Sequence, residues 1–200
     1  MRRFVAEAGE RLRDEDPANM VLLRGFARLP SWPAFPDATG LRAAALADYS
    51  MYRGVARLIG MESLDPGHSM AEKIDRAREA WERFDFFFLH HKSTDAAGED
   101  GDFERKMREI EKIDAALPAL LALHPDVLVV TGDHSTPSSL AAHSWHPVPV
   151  VLWSPRCRPD RVGAFGEREC MAGGLGPRLP ATDLMPLVLA HAERLDKFGA

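Results

Sequence analysis

The chain has 200 residues, of which 46% are hydrophobic and 28% are charged. This composition is typical of a single globular domain spanning residues 1–200, and it excludes a disordered or fibrous chain. Lys and Arg together number 25 against 30 Asp and Glu, which gives a net charge of −5. Because there is no basic excess to neutralise phosphates, the composition excludes nucleic acid and an anionic membrane surface as expected partners.

The chain carries no expected membrane or export segment. Its longest apolar runs, such as residues 86–89 and 127–130, are far shorter than the roughly 20 residues of a membrane-spanning helix. Residues 1–17 are charged throughout and lack the apolar centre of a secretory signal. The cytoplasm is therefore the expected location, and the two cysteines, Cys157 and Cys170, are expected to be reduced.

Five elements are predicted in the first part of the chain: a helix over residues 3–14, strands over 19–23 and 41–47, and helices over 51–59 and 70–84. The first helix is predicted from apolar residues that recur on one side at helical spacing. Residues 28–40 contain three prolines and are predicted to be a loop. Gly60 is expected to terminate the short helix before it.

In the second part of the chain, the sequence pattern predicts a strand over residues 86–90, a helix over 103–120, strands over 126–130 and 148–153, and a closing helix over 183–197. The first of these strands is apolar on both faces, as in a buried parallel sheet. Alternating strands and helices predict a three-layer α/β fold, with a mostly parallel central sheet and helices on both faces. Functional groups are then expected in loops beyond the carboxyl ends of the strands.

An acidic cluster follows the predicted strand at residues 86–90. Asp95 and Glu99 lie four residues apart, with Asp100 and Asp102 close behind. One interpretation is a solvated acidic loop in which Asp102 caps the helix that begins at Phe103. The alternative is a set of metal ligands.

Two further clusters flank the next two predicted strands. Asp133 and His134 directly follow one strand, and His143 and His146 precede the other. An Asx-turn with a surface histidine, or a packed histidine, would explain each cluster taken alone. Together, carboxylates and imidazoles at one sheet edge predict a divalent-cation site for Mn²⁺, Zn²⁺ or Mg²⁺, and two ions would suit phosphoryl transfer.

The chain resembles the cofactor-independent phosphoglycerate mutases of the archaeal-type branch, within the alkaline phosphatase superfamily. The segments that carry the resemblance are ANMVLLRG, MYRGVARLIGME, FFFLHHKSTDAAGEDGDFERK, PDVLVVTGDHSTPS, HSWHPVPV and LMPLVLAHAERLDKFGA. The resemblance implies an alkaline phosphatase-like fold, two divalent metals with Mn²⁺ foremost, and a phosphoserine intermediate. It also implies interconversion of 3-phosphoglycerate and 2-phosphoglycerate, small phosphorylated substrates of glycolysis.

The resemblance also assigns roles to individual residues. Asp133 and His134 correspond to ligands of one metal, and Asp95 and His143 to ligands of the other. Glu99 stands where the family usually has a histidine, and a carboxylate there favours harder ions such as Mn²⁺ or Mg²⁺. Three basic residues are the expected substrate-binding groups: Arg24, Arg53 and Lys92.

The resemblance covers only the carboxyl-terminal portion of such a mutase. The amino-terminal half of the family, which supplies the nucleophilic serine and a metal-binding aspartate, is expected to be absent. This chain alone is then expected to be inactive, and to associate with that half or with itself. A metal-dependent phosphatase of the same superfamily and a non-catalytic metal-binding or partner-binding domain are the alternatives.

Overall fold

The computed structural model describes residues 1–23 and 25–195. These residues fall into two compact units, one within Met1–Trp32 and the other within Pro33–Ala200. The helices are α1 (Arg2–Leu12), α2 (Phe35–Thr39), α3 (Ser50–Leu58), α4 (Met70–Glu79), α5 (Ser93–Glu99), α6 (Phe103–Leu121), α7 (Glu167–Cys170) and α8 (Leu184–His191), with 3-10 turns at Trp81–Arg83 and Ala181–Asp183. The strands are β1 (Ala43–Ala47), β2 (Glu62–Ser63), β3 (Phe86–His90), β4 (Leu128–Thr131) and β5 (Val150–Trp153).

The strands form two sheets, both in the second unit. In the first sheet β1 lies between β2 and β3, and both pairings are parallel. The second sheet contains β4 and β5, which pair antiparallel. The predicted α/β class, with parallel strands that alternate with helices, is therefore confirmed. Strand β5 is an exception, because it pairs antiparallel with β4.

The core of the second unit is built around β1. Its sequence is AAALA, and each of its five side chains is at most 4% exposed. Helix α4 contributes the buried Ile74 and Ala77 to the same core. Because alanine side chains are short, neighbouring elements can approach this strand closely and at native packing density.

Two helix starts have side-chain caps. At α4, the Ser69 hydroxyl accepts a 3.1 Å hydrogen bond from the Glu72 N–H, while the Glu72 carboxylate accepts one from the His68 N–H. This reciprocal arrangement resembles a capping box. At α6, the Asp102 carboxylate accepts a 2.9 Å hydrogen bond from the Arg105 N–H, which confirms its predicted capping role.

Several predicted boundaries were wrong. Residues 19–23 form no strand, because an apolar run becomes a strand only where it finds a partner for its backbone groups. The predicted loop over residues 28–40 contains α2, in which Pro36 occupies the first turn, where its missing N–H costs nothing.

Helices α4 and α8 are shorter than predicted. The helix expected over residues 70–84 ends at Glu79 and continues only as a 3-10 turn. The closing helix ends at His191, and residues 196–197 of the predicted 183–197 lie outside the described residues. In both segments the apolar pattern continues past the last helical turn, so periodicity alone overestimates the length.

The apolar stripe of α6 is present but only partly covered. Phe103, Met107 and Ile110 are all exposed, at 64%, 39% and 53%. Leu117 and Leu121 at the other end of the helix line an apolar cleft with β4 and β5. Within residues 1–23 and 25–195, no helix is long and apolar enough to cross a membrane.

Enlarging a β1 side chain should destabilise the protein. Ala45 is fully buried, so Ala45→Leu should lower the free energy of unfolding by about 1–3 kcal/mol through overpacking. Urea denaturation measures this loss. The matched control is Ala71→Leu on the exposed side of α4, which should change stability by no more than about 0.5 kcal/mol; equal losses at the two positions would contradict the packing argument.

Candidate metal centre

Three segments of the second unit bring the candidate ligands together. Helix α5 directly follows β3 and carries Asp95 and Glu99. The turn after β4 carries Asp133 and His134, and the next loop carries His143. The predicted loop around Asp95 is thus a helix, whose four-residue spacing places Asp95 and Glu99 on one face.

Asp95, His134 and His143 form the centre of the cluster. They offer ligand atoms that all lie within 4.8 Å of one another. The Asp95 Oδ1 atom is 3.8 Å from Nδ1 of His134 and 3.6 Å from Nε2 of His143. The two imidazole rings lie 3.9 Å apart, centroid to centroid. Atoms at these separations can converge on one cation, since such ligands bind Zn²⁺ at about 2.0–2.2 Å.

Glu99 and Asp133 lie at the two sides of this triad. The Glu99 carboxylate is 3.2 Å from Nε2 of His143, and the Asp133 carboxylate is 3.7 Å from Nε2 of His134. His134, predicted to share a metal with Asp133, therefore lies beside Asp95 of the other predicted pair as well. All five predicted ligands are brought together, and their binding of metal stays a prediction.

Hydrogen bonds keep the aspartates charged. Burial alone would raise the pKa of Asp95, but donors from Lys92 and Thr136 outweigh it and lower this pKa below its ordinary value. The pKa of Asp133 is lowered in the same way, with the Tyr52 hydroxyl as the principal donor against burial. Both aspartates are consequently anionic at neutral pH, as a cation site requires.

Tyr52 on α3 forms a hydrogen bond with Asp133. Its hydroxyl donates to Asp133 Oδ2, and its ring packs 4.2 Å from the ring of His90 at the end of β3. Burial, followed by the bond to Asp133, raises the pKa of Tyr52 to about 12. The hydroxyl therefore remains a donor over the whole physiological pH range.

Thr136 connects the two ligand-bearing segments. Its hydroxyl donates to Asp95 Oδ1 at 2.5 Å and lies 3.0 Å from Nδ1 of His134. Lys106 of α6 donates to the Thr136 carbonyl at 2.5 Å. Gly98 of α5 faces this same carbonyl so closely that a Cβ there would collide with it. The absence of a side chain at Gly98 thus permits the approach of α5 to this turn.

The predicted substrate-binding residues have different positions. Lys92 pairs with Asp95 Oδ2, and so lies at the cluster. Arg53 is half-buried on α3, and its Nε has no hydrogen-bond partner within the described part of the chain. Arg24 lies outside the described residues. His146 is not in the triad: it bonds to Ser144 at 2.9 Å and stacks on Trp145.

The sequence analysis missed a buried ion pair near this edge. Lys73 of α4 is 1% exposed and pairs with Asp48 at 2.5 Å. Burial lowers the pKa of His90, and the charges of both Asp48 and Lys73 act on that ring. Two signals were available: Asp48 directly follows β1, and Lys73 lies within the apolar stripe of its helix.

Comparison with known families identifies the type of protein. The model of the family described as "Metalloenzyme superfamily" matches residues 6–191. The chain belongs to the metalloenzyme superfamily. Membership implies a divalent metal, and the triad provides ligands suited to one.

The curated relatives carry one recurrent name. A probable 2,3-bisphosphoglycerate-independent phosphoglycerate mutase of Thermotoga neapolitana is 50% identical over 98% of this chain and 49% of the relative. One from Thermus thermophilus is 50% identical over 96% of this chain and 48% of the relative. The resemblance to this group of metalloenzymes is confirmed, and the chain spans about half the length of the curated relatives it matches.

Solved structures show the same fold. A Pyrococcus horikoshii protein superposes with a TM-score of 0.82 at 34% identity, covering 88% of this chain and 57% of its own. A cofactor-independent phosphoglycerate mutase from Thermoplasma acidophilum gives a TM-score of 0.68 at 24% identity, covering 95% and 50%. The predicted alkaline phosphatase-like α/β fold is confirmed.

Removing the Tyr52 hydroxyl should weaken metal binding. Tyr52→Phe keeps the ring on His90 but frees Asp133, and loss of such an outer hydrogen bond typically costs about 10–100-fold in metal affinity. Titration calorimetry with Mn²⁺ measures this change. The control is Tyr49→Phe, three residues earlier, whose ring lies 6.1 Å from that of Tyr52; it should leave the affinity unchanged.

Proposed function

We propose that this chain provides the metal centre of a phosphoglycerate mutase that interconverts 3-phosphoglycerate and 2-phosphoglycerate through a phosphoserine. The observation that carries the proposal is the convergence of Asp95, His134 and His143, which come from three separate segments of the chain. The curated relatives, which are named as probable phosphoglycerate mutases, support this choice of reaction.

We propose Mn²⁺ as the metal. The set of two imidazoles and up to three carboxylates, with Glu99 and Asp133 beside the triad, mixes nitrogen and oxygen donors and contains no thiolate. Divalent ions bound here would stabilise phosphoryl oxygens and lower the pKa of a serine hydroxyl.

The basic residues of this chain are proposed to orient the substrate. Lys92 pairs with Asp95 and is about a third exposed, so its ammonium can reach an anionic substrate beside the ligands. Arg53 carries a buried Nε without a partner in the described residues, which a phosphate or carboxylate oxygen could satisfy. Arg24 keeps its proposed role in binding the substrate phosphate or carboxylate.

The nucleophilic serine is proposed to come from outside this chain. The relatives are about twice as long, so half of each has no counterpart here. We refer to that unmatched part of a relative as the complementary half. The chain by itself is then a metal-binding module without turnover.

The metal ligands can be tested by comparing two histidines. His143→Ala removes a triad member and should weaken Mn²⁺ binding by more than about 100-fold, beyond the range typical of outer-shell residues. His146→Ala is the matched control, because His146 lies three residues away and outside the triad. Calorimetry that shows equal affinities for the two variants would refute the assignment.

The reaction can be tested by reconstitution. This chain should bind Mn²⁺ without converting 3-phosphoglycerate, and mixing it with the separately produced complementary half of the Thermotoga neapolitana relative should give mutase turnover. A coupled assay for 2-phosphoglycerate measures the turnover, with the same mixture containing His143→Ala as the inactive control. Release of free phosphate without isomerisation would instead identify a phosphatase.

A further inference from the structure

Thr136 is a buried hydroxyl that contacts two candidate ligands at once. Its side chain belongs to a residue that is 3% exposed, and its oxygen lies 2.5 Å from Oδ1 of Asp95 and 3.0 Å from Nδ1 of His134. In the described part of the chain, no other hydrogen bond reaches this imidazole nitrogen, because Oδ1 of Asp95 is 3.8 Å away and too distant to accept one. The hydroxyl can therefore determine which ring nitrogen of His134 carries the proton.

The packing around Thr136 fixes the direction of its hydroxyl. Its methyl group faces Gly98 of α5, where an added Cβ would lie only 3.0 Å from it, and its carbonyl accepts a hydrogen bond from Lys106 of α6. A β-branched side chain has few χ1 rotamers available. With the methyl group against α5, the hydroxyl is directed toward the ligands.

The hydroxyl has one proton for its two contacts. Hydrogen bonds to Asp95 lower the pKa of its carboxyl group, so this side chain is charged at neutral pH and only accepts hydrogen bonds. The contact between Thr136 and Asp95 therefore uses the hydroxyl proton. The hydroxyl oxygen then has only a lone pair to offer to His134, and Nδ1 of that ring must be the donor.

A proton on Nδ1 leaves the lone pair of the neutral ring on Nε2. A metal binds the imidazole nitrogen that carries no proton. Nε2 of His134 is 3.7 Å from Oδ2 of Asp133, a separation at which two atoms that bind at about 2.0–2.2 Å can share one ion. An exposed histidine without such a partner prefers the opposite form, in which Nε2 carries the proton and cannot bind metal.

We propose that Thr136 is a positioning residue that fixes the tautomer of His134, with the proton on Nδ1 and the ligand lone pair on Nε2 beside Asp133. This inference rests on the metal centre of the proposed function, and not on the reaction. A ligating histidine usually donates its other N–H to a carboxylate, a carbonyl or water. Here a threonine hydroxyl accepts that hydrogen bond, and it gives its own proton to Asp95 of another segment.

NMR of the imidazole nitrogens tests the tautomer in the metal-free chain. At about pH 8.5 histidine side chains are ordinarily neutral, and protonated and unprotonated ring nitrogens then resonate far apart. The signals of His134 are identified by their loss in His134→Gln. In the full 200-residue chain, Nδ1 of His134 should carry the proton. A proton on Nε2 would overturn the proposal, whatever the variants of Thr136 show.

Thr136 also offers two informative variants. Thr136→Val keeps the branched shape without the hydroxyl, so the ring of His134 should shift toward the Nε2–H form and Mn²⁺ affinity should fall by about 10–100-fold. Thr136→Ser keeps the hydroxyl and should retain the Nδ1–H form and most of the affinity. A purely structural role would lower the affinity without moving the proton, so an Nδ1–H ring in a folded Thr136→Val chain would overturn the proposal.

Thr131→Val is the matched control. Thr131 ends β4, and its hydroxyl donates to the Pro149 carbonyl at 3.0 Å and to no candidate ligand. Its loss should leave both the tautomer of His134 and the Mn²⁺ affinity unchanged. An equal shift of the proton in the two valine variants would contradict a specific role for Thr136.

The outcomes separate this inference from the proposed function. An Nδ1–H ring in a chain that does not bind Mn²⁺ would refute the proposed metal centre and leave the tautomer assignment standing. Tight Mn²⁺ binding by a chain whose metal-free form has the proton on Nε2 would support the metal centre and overturn the inference.

Discussion

The hydrogen bond from Thr136 to Asp95 is the contact on which the candidate site depends, because it joins segments that follow two different sheets. No strand pairing links these sheets in the described residues, so their relative position at the site relies on side chains and helix contacts. Gly98 permits the close approach, and Lys106 holds the Thr136 carbonyl from α6. The site is therefore built on a packed junction of α5, α6 and one turn.

Hydrogen-bond donors at the site also offset the cost of burying two carboxylates. Asp95 and Asp133 remain anionic, since donors from Lys92, Thr136 and Tyr52 stabilise the carboxylates more than burial disfavours them. The result is a compact region of negative charge beside two imidazoles, a combination that attracts a divalent cation.

The sequence predicted the parts of the fold that local pattern determines. The apolar runs at β3 and β4 and the long stripe of α6 gave the correct element types, because burial and periodicity are properties of short segments. Asp133 and His134 were found for the same reason: they directly follow a strand. The helical state of α5 was missed, since its residues, STDAAGE, carry no apolar stripe and the helix is held by contacts with α6 and Thr136.

Other features depend on contacts that no local pattern encodes. The supporting role of Tyr52 arises from residues 81 positions apart in the chain, and the ion pair of Asp48 and Lys73 from residues on separate elements. The antiparallel direction of β5 could not be predicted either, because the spacing of apolar residues indicates which side chains are buried but not which way a strand runs. A charged residue within an apolar stripe, as at Lys73, is the signal that would have drawn attention to this edge of the sheet.

The alanine-rich sequence of β1 has a consequence for how this protein can vary. Four of its five side chains consist of a single methyl group, so glycine is the only smaller replacement for them. Because each of the five is at most 4% exposed, a larger group would have to displace its packed neighbours. Few amino-acid substitutions along this strand would therefore preserve the fold, whereas the solvent-exposed helix positions would tolerate many. The segment with the simplest side chains is the one whose composition is most tightly constrained.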